Sequence, residues 1–300
     1  MELLRDTNID FVGKRKTGYL ISTIFIVAGL VSLVFHQGPN FGIDFNGGVK
    51  IRAELPAGAT NLQESNVKTA LASVGFSNSK ILVEDQSITI SISGKQDDGS
   101  GQKIAQALQS KFQVDAADIE INEVGPSVGK DLKWTALWSI LWSIVILLIY
   151  ISFRFHFQFA LGAIAALIHD VLITLGIFSL LTKEINLPTV AAFLTIIGYS
   201  LNDTIVVFDR VRENQGLLKS ATFPEILNRS INQSLSRTLI TSLTTFVVVL
   251  TIFFFSSVGE EINTFALALI VGVIAGTYSS VFIATPIVYL LNRRGGVTTA

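Results

Sequence analysis

The sequence predicts a polytopic α-helical membrane protein of six transmembrane helices with one small external α+β domain of the ferredoxin-like type. Half of the 300 residues are hydrophobic and only 15% are charged, whereas about 25% are charged in an ordinary soluble domain. Six long apolar segments follow one another along the chain. A polar segment of about a hundred residues, a normal size for one small domain, separates the first apolar segment from the second.

Each apolar segment is long enough to cross a bilayer, because a hydrocarbon core of about 30 Å needs roughly 20 apolar residues in a helix. The first segment is longer than the apolar region of a signal peptide and has no small-residue cleavage pattern behind it, so we expect an uncleaved anchor. The predicted spans are residues 19–35, 134–153, 157–181, 188–208, 235–256 and 264–291.

Basic residues concentrate on alternate sides of these spans, so the positive-inside rule places both termini in the cytoplasm. The residues concerned are Lys14, Arg15, Lys16, Arg154, Arg210, Arg212, Lys219, Arg229, Arg293 and Arg294. The expected organisation is a cytoplasmic N-terminus (1–18), a first helix (19–35), an external domain (36–133), a five-helix bundle (134–292) with a cytoplasmic loop (209–236), and a cytoplasmic C-terminus (293–300).

The external segment alternates between the patterns of strands and helices. A capping box at Thr60 and Gln63 marks the start of its first helix, and Asp85-Gln86 forms a turn between its two middle strands. The order βαββαβ is that of a ferredoxin-like sandwich, a fold that hosts many functions and specifies none. The predicted elements are 49–55 (strand), 60–74 (helix), 80–84 (strand), 87–93 (strand), 102–112 (helix) and 119–124 (strand).

The sequence lacks the residues that several kinds of chemistry require. The chain has no cysteine, so disulfides, thiolate zinc sites and thiol nucleophiles are excluded. It has no P-loop and no combination typical of a hydrolase triad or a metal cluster, so we expect no enzyme activity, no cofactor and no metal. The net charge of −1 gives no reason to expect a nucleic-acid partner.

Ionisable residues inside the predicted spans are the main indication of function, because a charge at the centre of a membrane helix costs about 2.5–3.5 kcal/mol on insertion scales. The third span carries His169 and Asp170 near its midpoint. The fourth carries Asn202 and Asp203 about two turns before its cytoplasmic end. Arg237 stands at the start of the fifth span.

Asp203 and Arg237 are expected at comparable depth, because the fourth and fifth spans run antiparallel, so the two side chains could pair. A low-dielectric environment favours the neutral acid, and a nearby guanidinium favours the carboxylate. Since arginine stays charged, withdrawal of Arg237 would load a proton onto Asp203 and its return would expel that proton. We interpret Asp203, Arg237, Asp170, His169 and Asn202 as a proton pathway.

A structural interpretation stands beside these assignments. Arg237 could extend to the cytoplasmic interface as a topology signal, and His169 with Asp170 could form a satisfied hydrogen-bonded pair. Asp203 is the hardest of the five to explain by packing alone.

Glycines and a proline also have structural interpretations. In the sixth span, Gly272 and Gly276 predict a small-residue packing face, and Pro286 predicts a mild kink. The turn-forming residues that follow the first span are Gly42, Asp44, Gly47 and Gly48. Their alternative role is to transmit motion between the first helix and the external domain.

Five sequence stretches together resemble the SecF group of the SecD/SecF family, in the resistance-nodulation-division superfamily. The resemblance covers nearly the whole chain, and the stretch in the fourth span is the most specific. The external domain is small, which is similar to SecF rather than to SecD. The stretches are Phe41-Gly-Ile-Asp-Phe-Asn-Gly-Gly48, Val124-Gly-Pro-Ser-Val-Gly129, His169-Asp-Val171, Gly198-Tyr-Ser-Leu-Asn-Asp-Thr-Ile-Val-Val-Phe-Asp-Arg-Val-Arg-Glu-Asn214 and Arg237-Thr-Leu-Ile-Thr-Ser242.

The resemblance implies a role in protein export across the bacterial plasma membrane, with the external domain in the periplasm. It implies a twelve-helix unit with SecD, association with the SecYEG channel and with YajC, contact with the translocating polypeptide and with membrane lipids, and use of the proton-motive force. It also implies that Asp203 and Arg237 match the proton-path residues of the family. Two alternatives remain open at this point: half of a proton-driven small-molecule exporter, and a passive membrane assembly factor.

Overall fold

The structure is a computed structural model, and it describes residues 7–54, 64–76, 79–84, 87–94, 99–257 and 261–295. Within these ranges six helices are long and apolar enough to cross a membrane, as the sequence predicts. The helices are α1 (Arg15–Phe35), α2 (Ile43–Asn46), α3 (Glu64–Ala72), α4 (Ser100–Phe112), α5 (Pro126–Arg154), α6 (Phe157–Leu180), α7 (Leu187–Leu217), α8 (Phe223–Phe255), α9 (Glu261–Ser279) and α10 (Thr285–Gly295).

The chain divides into two compact units. Residues 41–138 and 184–187 form the external unit, and residues 1–40, 139–183 and 188–300 form the helical unit. The predicted external domain, 36–133, falls largely within the first of these. The predicted division into cytoplasmic and external segments stays a prediction.

The helical unit is built around α6, α7 and α9, the most buried of the long helices. Its core includes an aromatic cluster in which Phe208 makes edge-to-face contacts with Phe155 and Phe159, with ring centroids 6.0 and 4.9 Å apart. Glycines bring helices close together: a Cβ placed on Gly29 of α1 would lie 2.6 Å from the Cα of Gly176 on α6. Such close backbone approach is typical of membrane helix pairs.

Three of the membrane helices extend well beyond their predicted spans. Helix α5 begins at Pro126, eight residues before the predicted start of the second span at position 134. Helix α7 continues nine residues past position 208 to Leu217, and α8 begins at Phe223, inside the predicted cytoplasmic loop. The start of α8 has a capping box, in which Thr222 and Glu225 satisfy each other's backbone N–H groups. The buried residues Ile226 and Leu227 form the apolar face of this extension.

The sixth span is interrupted by a short π-helical segment, Ser280–Ala284, between α9 and α10. Pro286 follows it, and proline has no N–H and crowds the carbonyl four residues earlier, which disrupts regular α-helical bonding. The Thr285 hydroxyl donates a hydrogen bond to the Ser280 carbonyl at 2.9 Å. The change from α-helix to π-helix therefore lies next to Pro286, where the sequence predicts a departure from a regular helix.

The external unit contains a four-stranded antiparallel sheet of β1 (Gly48–Glu54), β2 (Lys80–Glu84), β3 (Ser87–Ser93) and β4 (Ile119–Val124). The strand order is β2-β3-β1-β4, and every neighbouring pair is antiparallel. With α3 and α4 this gives the predicted ferredoxin-like βαββαβ arrangement. The predicted capping box at Thr60 and Gln63, and the turn at Asp85-Gln86, lie outside the described residues.

The core of the external unit follows from strand alternation. In both β1 and β3 buried residues alternate with partly exposed ones, and the Ile51–Ile90 pair lies at the centre of the sheet. Helix α4 places Ile104 and Leu108, both fully buried, against this face. The alternation read from the sequence therefore defines which face of the sheet is covered.

Candidate functional site

Asp203 lies on α7, only 2% exposed, inside the helical unit. The Ser242 hydroxyl on α8 lies 3.5 Å from its Oδ2 and donates to it. Ser242 also receives a hydrogen bond from the Tyr199 hydroxyl at 3.1 Å and lies 2.6 Å from the Thr277 hydroxyl on α9. Asp203 is therefore next to a chain of hydroxyl groups that connects α7, α8 and α9.

Small residues on α9 bring this hydroxyl chain together. A Cβ on Gly272 would collide with the Ile196 side chain of α7, and a Cβ on Gly276 would lie 3.0 Å from the Cβ of Ser200. The predicted packing face is thus the contact of α9 with α7. This contact places Thr277, the residue after Gly276, at the same level of the bundle as Asp203.

Arg237 and Asn202 are both exposed, unlike Asp203. Among the residues that the structure describes, no ion pair joins Asp203 to Arg237, although the guanidinium is close enough to act electrostatically on the carboxylate. Asn202 precedes Asp203 and faces away from the buried hydroxyl chain. The functional roles assigned to both residues stay predictions.

His169 and Asp170 form a second buried group, 6% and 1% exposed, on α6. His169 Nδ1 lies 2.8 Å from Asp170 Oδ1. The other carboxylate oxygen accepts hydrogen bonds from Ser200 of α7 and Ser279 of α9, the latter at 2.8 Å. This carboxylate therefore connects three helices of the bundle.

The second ring nitrogen of His169 extends the same group to α1. Nε2 lies 3.0 Å from the Ser22 hydroxyl, and Ser22 donates to the Tyr278 hydroxyl at 3.3 Å. Tyr278 donates in turn to the carbonyl of Gly18 at 2.6 Å, and its ring stacks on that of His169. Sequence reasoning missed Ser22, Tyr278 and Ser200. The available signal was that each is a polar residue within an otherwise apolar span.

The predicted turn residues lie together in the external unit. Gly47 and Gly48 have φ values of 72° and 140°, which favour glycine. Asp44 Oδ2 accepts a hydrogen bond from the backbone N–H of Leu187, the first residue of α7, at 2.7 Å. The Gly42 N–H donates to the Ile185 carbonyl at 2.8 Å. These residues bind the segment after α1 to the segment before α7, which the sequence alone does not reveal.

The described residues contain no group of three or more His, Asp or Glu side chains that could hold a metal ion. The two buried acids are surrounded by hydroxyl groups and one imidazole. Such an arrangement suits the binding and transfer of protons, because a carboxyl group, an imidazole and hydroxyls can each donate and accept hydrogen.

Comparison with known proteins gives consistent matches over the whole chain. A family model described as "Protein export membrane protein SecD/SecF, C-terminal" matches residues 103–294. The chain is 42% identical to protein translocase subunit SecF of Thermodesulfovibrio yellowstonii, covering 98% of both. It is 40% identical to the SecF of Haemophilus influenzae, covering 95% of this chain and 86% of that one. Against the SecDF subunit of Brucella abortus the identity is 41%, over 36% of that longer chain.

Two solved structures are also similar. The crystal structure of SecDF, a translocon-associated membrane protein from Thermus thermophilus, matches 96% of this chain and 39% of its own length, with 33% identity and a TM-score of 0.85. A crystal structure of SecDF in a super-membrane-facing form matches 98% of this chain and 40% of its own length, with 34% identity and a TM-score of 0.68.

Fold and site together define a multi-pass membrane protein with a ferredoxin-like domain and buried acids within its helical bundle. Relatives of nearly equal length share more than a third of its residues, and the family model covers well over half of it. The chain belongs to the SecD/SecF family.

Proposed function

We propose that this chain is a SecF-type subunit of the Sec protein-export machinery, and that it works with SecD to promote translocation across the bacterial plasma membrane at the expense of the proton-motive force. Two findings support the partnership. Relatives of the same length are named as translocase subunits SecF. In the SecDF relative the matching part is about a third of one longer chain, which supports cooperation of this chain with an equivalent of the remaining part.

The single observation that carries the proton-coupling proposal is that Asp203 is buried and has no cation at ion-pair distance among the residues that the structure describes. An isolated carboxylate is costly in a low-dielectric environment and tends to bind a proton. Arg237 lies one helix away and is exposed. Approach of its guanidinium would favour release of that proton, so relative movement of α7 and α8 would alternate loading and release.

A mainly apolar groove borders this site. Its volume is about 440 Å³, and both Ser242 and Thr277 line it. These are the hydroxyls next to Asp203, so water entering the groove would reach the hydrogen-bond chain of the acid. Proton coupling fits this environment better than sodium coupling, because sodium and other hard cations prefer a cage of several oxygen ligands.

The wider assignments belong to the same proposal. Both termini and the connection between α7 and α8 lie in the cytoplasm, and the external unit lies in the periplasm, as the distribution of basic residues favours. Partners are SecD, the SecYEG channel, YajC, the translocating polypeptide and membrane lipids. Asn202, His169 and Asp170 remain candidate contributors to proton movement.

The test replaces Asp203 with asparagine, which keeps its shape and removes its charge change. In a strain that depends on this chain, Asp203→Asn should abolish the part of export that depends on the proton-motive force, while the partner complex still assembles. Asp209→Asn is the matched control, because Asp209 lies on the same helix but is exposed and paired with Arg154. Undiminished proton-driven export by Asp203→Asn would refute the proposal.

Arg237 provides a second arm of the test. Arg237→Lys keeps the positive charge and should retain part of the activity, whereas Arg237→Gln should lose it. If alanine at both Asp203 and Arg237 is tolerated, the passive assembly factor is the better interpretation. If export is intact but small molecules accumulate in a strain lacking the chain, the small-molecule exporter is favoured.

A further inference from the structure

The His169–Asp170 group and the Asp203 group are separate sets of hydrogen bonds. Asp203 is linked to Ser242, and through it to Tyr199 and Thr277. The His169–Asp170 pair is linked to hydroxyls on α1, α7 and α9 that bind none of these. In the part of the chain that the structure describes, no side-chain hydrogen bond connects the two sets.

The direction of the hydrogen bonds from α1 shows where one proton of His169 lies. Tyr278 has a single hydroxyl hydrogen and donates it to the Gly18 carbonyl at 2.6 Å, so its oxygen accepts from Ser22. Ser22 has then used its own hydrogen and can only accept from His169 Nε2, 3.0 Å away. Nε2 therefore carries a hydrogen.

A second proton lies between the imidazole and the carboxylate. His169 Nδ1 and Asp170 Oδ1 are 2.8 Å apart, and a hydrogen bond at that distance needs one hydrogen between them. With Nε2 already protonated, the pair is either an imidazolium beside a carboxylate or a neutral imidazole beside a carboxylic acid. Both forms hold the same number of protons and have no net charge.

Loss of that proton would change the attachment of α1. A neutral His169 beside an ionised Asp170 has one ring hydrogen, and the bond to the carboxylate uses it. Nε2 would then accept, Ser22 would turn its hydrogen towards the ring, and the bond from Ser22 to Tyr278 would be lost. A net negative charge would also remain in a site that is almost completely buried, which is unfavourable.

We propose that the His169–Asp170 pair is a second proton-binding site, distinct from Asp203, which retains its proton while α1 is packed against α6 and α9 and gives it up only when α1 is displaced. Besides the pair itself, the groups that face it are Ser22 and the Gly18 carbonyl from α1, Ser200 from α7, and Ser279 with the titratable Tyr278 from α9. This inference does not depend on the role proposed for Asp203.

A groove borders the pair on the side of His169. Its volume is about 320 Å³, and Ser22, His169 and Tyr278 are the polar residues among its otherwise mainly apolar lining. Asp170 is not among the lining residues, so His169 is the member of the pair that borders this groove. This agrees with His169 being the more exposed member of the pair.

The absence of cysteine from the sequence permits a direct test. The hydroxyls of Ser32 on α1 and Ser179 on α6 are 2.8 Å apart, so cysteines at these positions are placed to form a disulfide when α1 is packed. Cross-linking by copper phenanthroline would be measured in the membrane-embedded full chain, from mildly acidic to mildly alkaline pH. Asn214→Cys with Ser230→Cys, whose polar atoms are also 2.8 Å apart, gives a reference pair between α7 and α8.

The expected result is that cross-linking of the Ser32–Ser179 pair, divided by that of the reference pair, falls about fivefold as the pH rises, as loss of one hydrogen bond implies. Asp170→Asn should remove this fall, because asparagine keeps the hydrogen bonds and has no proton to lose. This matched background is needed because His36 lies 3.3 Å from Ser32 and could itself alter the reactivity of the thiols.

Two further variants make the outcome decisive. Ser22→Ala removes the hydroxyl that links the pair to Tyr278 while leaving His169 and Asp170 in place, and should reduce cross-linking at acidic pH to the alkaline level. Asp203→Asn should leave the pH dependence unchanged, so failure of this inference is distinguishable from failure of the proposed function. A ratio that does not change with pH, or one that falls equally with Asp170→Asn, would overturn the inference.

Discussion

At the scale of single residues, Ser242 occupies the central position in the buried hydroxyl chain. It contacts the carboxylate of Asp203, accepts from Tyr199 and bonds with Thr277. These contacts join α7, α8 and α9 at this level. Its hydroxyl is therefore expected to influence how readily the acid exchanges its proton.

Ser242→Ala should reduce proton-driven export by about tenfold, because removing one partner of a buried hydrogen-bonded group costs about 1–3 kcal/mol. The matched control is Thr244→Ala on the same helix. The Thr244 hydroxyl is exposed and bonds only to backbone carbonyls of α8. Equal effects of the two substitutions on export would show that the hydroxyl chain is not part of the coupling.

Asp10 carries a pH-dependent contact outside the membrane spans. The Gly13 backbone N–H at 2.8 Å and the Asn228 side-chain amide at 2.7 Å hold the pKa of the Asp10 carboxyl below its usual value of 3.8. Because the folded pKa is depressed, this contact contributes fully above the unfolded value and is lost as the pH falls through the folded one.

We expect acidification below that range to loosen the segment before α1 from Asn228, and Asp10→Ala to have the same effect at neutral pH. Hydrogen exchange of the Val12 and Gly13 amides measures this, because both donate to side chains of the contact. Amides of the external sheet serve as the internal control. Unchanged protection of Val12 and Gly13 in Asp10→Ala would contradict the prediction.

At the scale of elements, the approach of α1 to α6 depends on two glycines. A Cβ at Gly29 would lie 2.6 Å from the Gly176 Cα, so Gly29→Ala forces the helices apart and should destabilise the bundle by about 1–3 kcal/mol. Gly216 in α7 has nothing within 4 Å of an added Cβ. Gly216→Ala should be neutral or stabilising by up to about 1 kcal/mol. Thermal unfolding in detergent distinguishes the opposite signs.

In the external unit, Gly48 fixes the start of β1. Its φ of 140° is unfavourable for other residues, and an added Cβ would collide with the Ile92 carbonyl of β3. Gly48→Ala should therefore weaken the β1–β3 pairing by about 2 kcal/mol or more, seen as faster hydrogen exchange in both strands of the full chain. Gly125→Ala meets no neighbouring atoms, and faster exchange with that variant too would contradict the explanation.

Periodicity and length were enough to predict most elements. The six spans and the βαββαβ order follow from runs of apolar residues and from alternation, which are local properties. The ends of α7 and α8 could not be predicted in this way. Arg210 and Arg212 predict the point where α7 leaves the membrane, but the helix does not end there. It continues to Leu217 and includes the buried Val211.

The candidate site was predictable only in part. Asp203, His169 and Asp170 stand out because charge within a membrane span is costly, and all three are buried. Their partners could not be predicted, because Ser22 and Tyr278 are far apart in the sequence and meet only when α1 packs beside α9. The expected pairing of Asp203 with Arg237 depends on a side-chain position that spacing does not determine.

At the scale of the whole molecule, large apolar surfaces remain uncovered. The three tryptophans of the chain, Trp134, Trp138 and Trp142, recur every fourth residue on α5 and are 54%, 52% and 58% exposed. Phe254 and Phe255 at the end of α8 are 72% and 89% exposed. Such surfaces are favourable only against lipid or another membrane helix, so the stability of α5 and α8 depends on a bilayer or a partner.

The topology of the chain in the bilayer can be tested by labelling single cysteines. The positive-inside rule places the connection between α7 and α8 in the cytoplasm and the external unit on the opposite side. Ala117 in the external unit and Lys219 between α7 and α8 are both exposed, and the chain has no cysteine of its own. In intact cells stripped of their outer membrane, a membrane-impermeant maleimide should label Ala117→Cys directly and Lys219→Cys only after permeabilisation. Labelling of Lys219→Cys before permeabilisation, with Ala117→Cys protected, would show that the topology is the inverse of the one proposed.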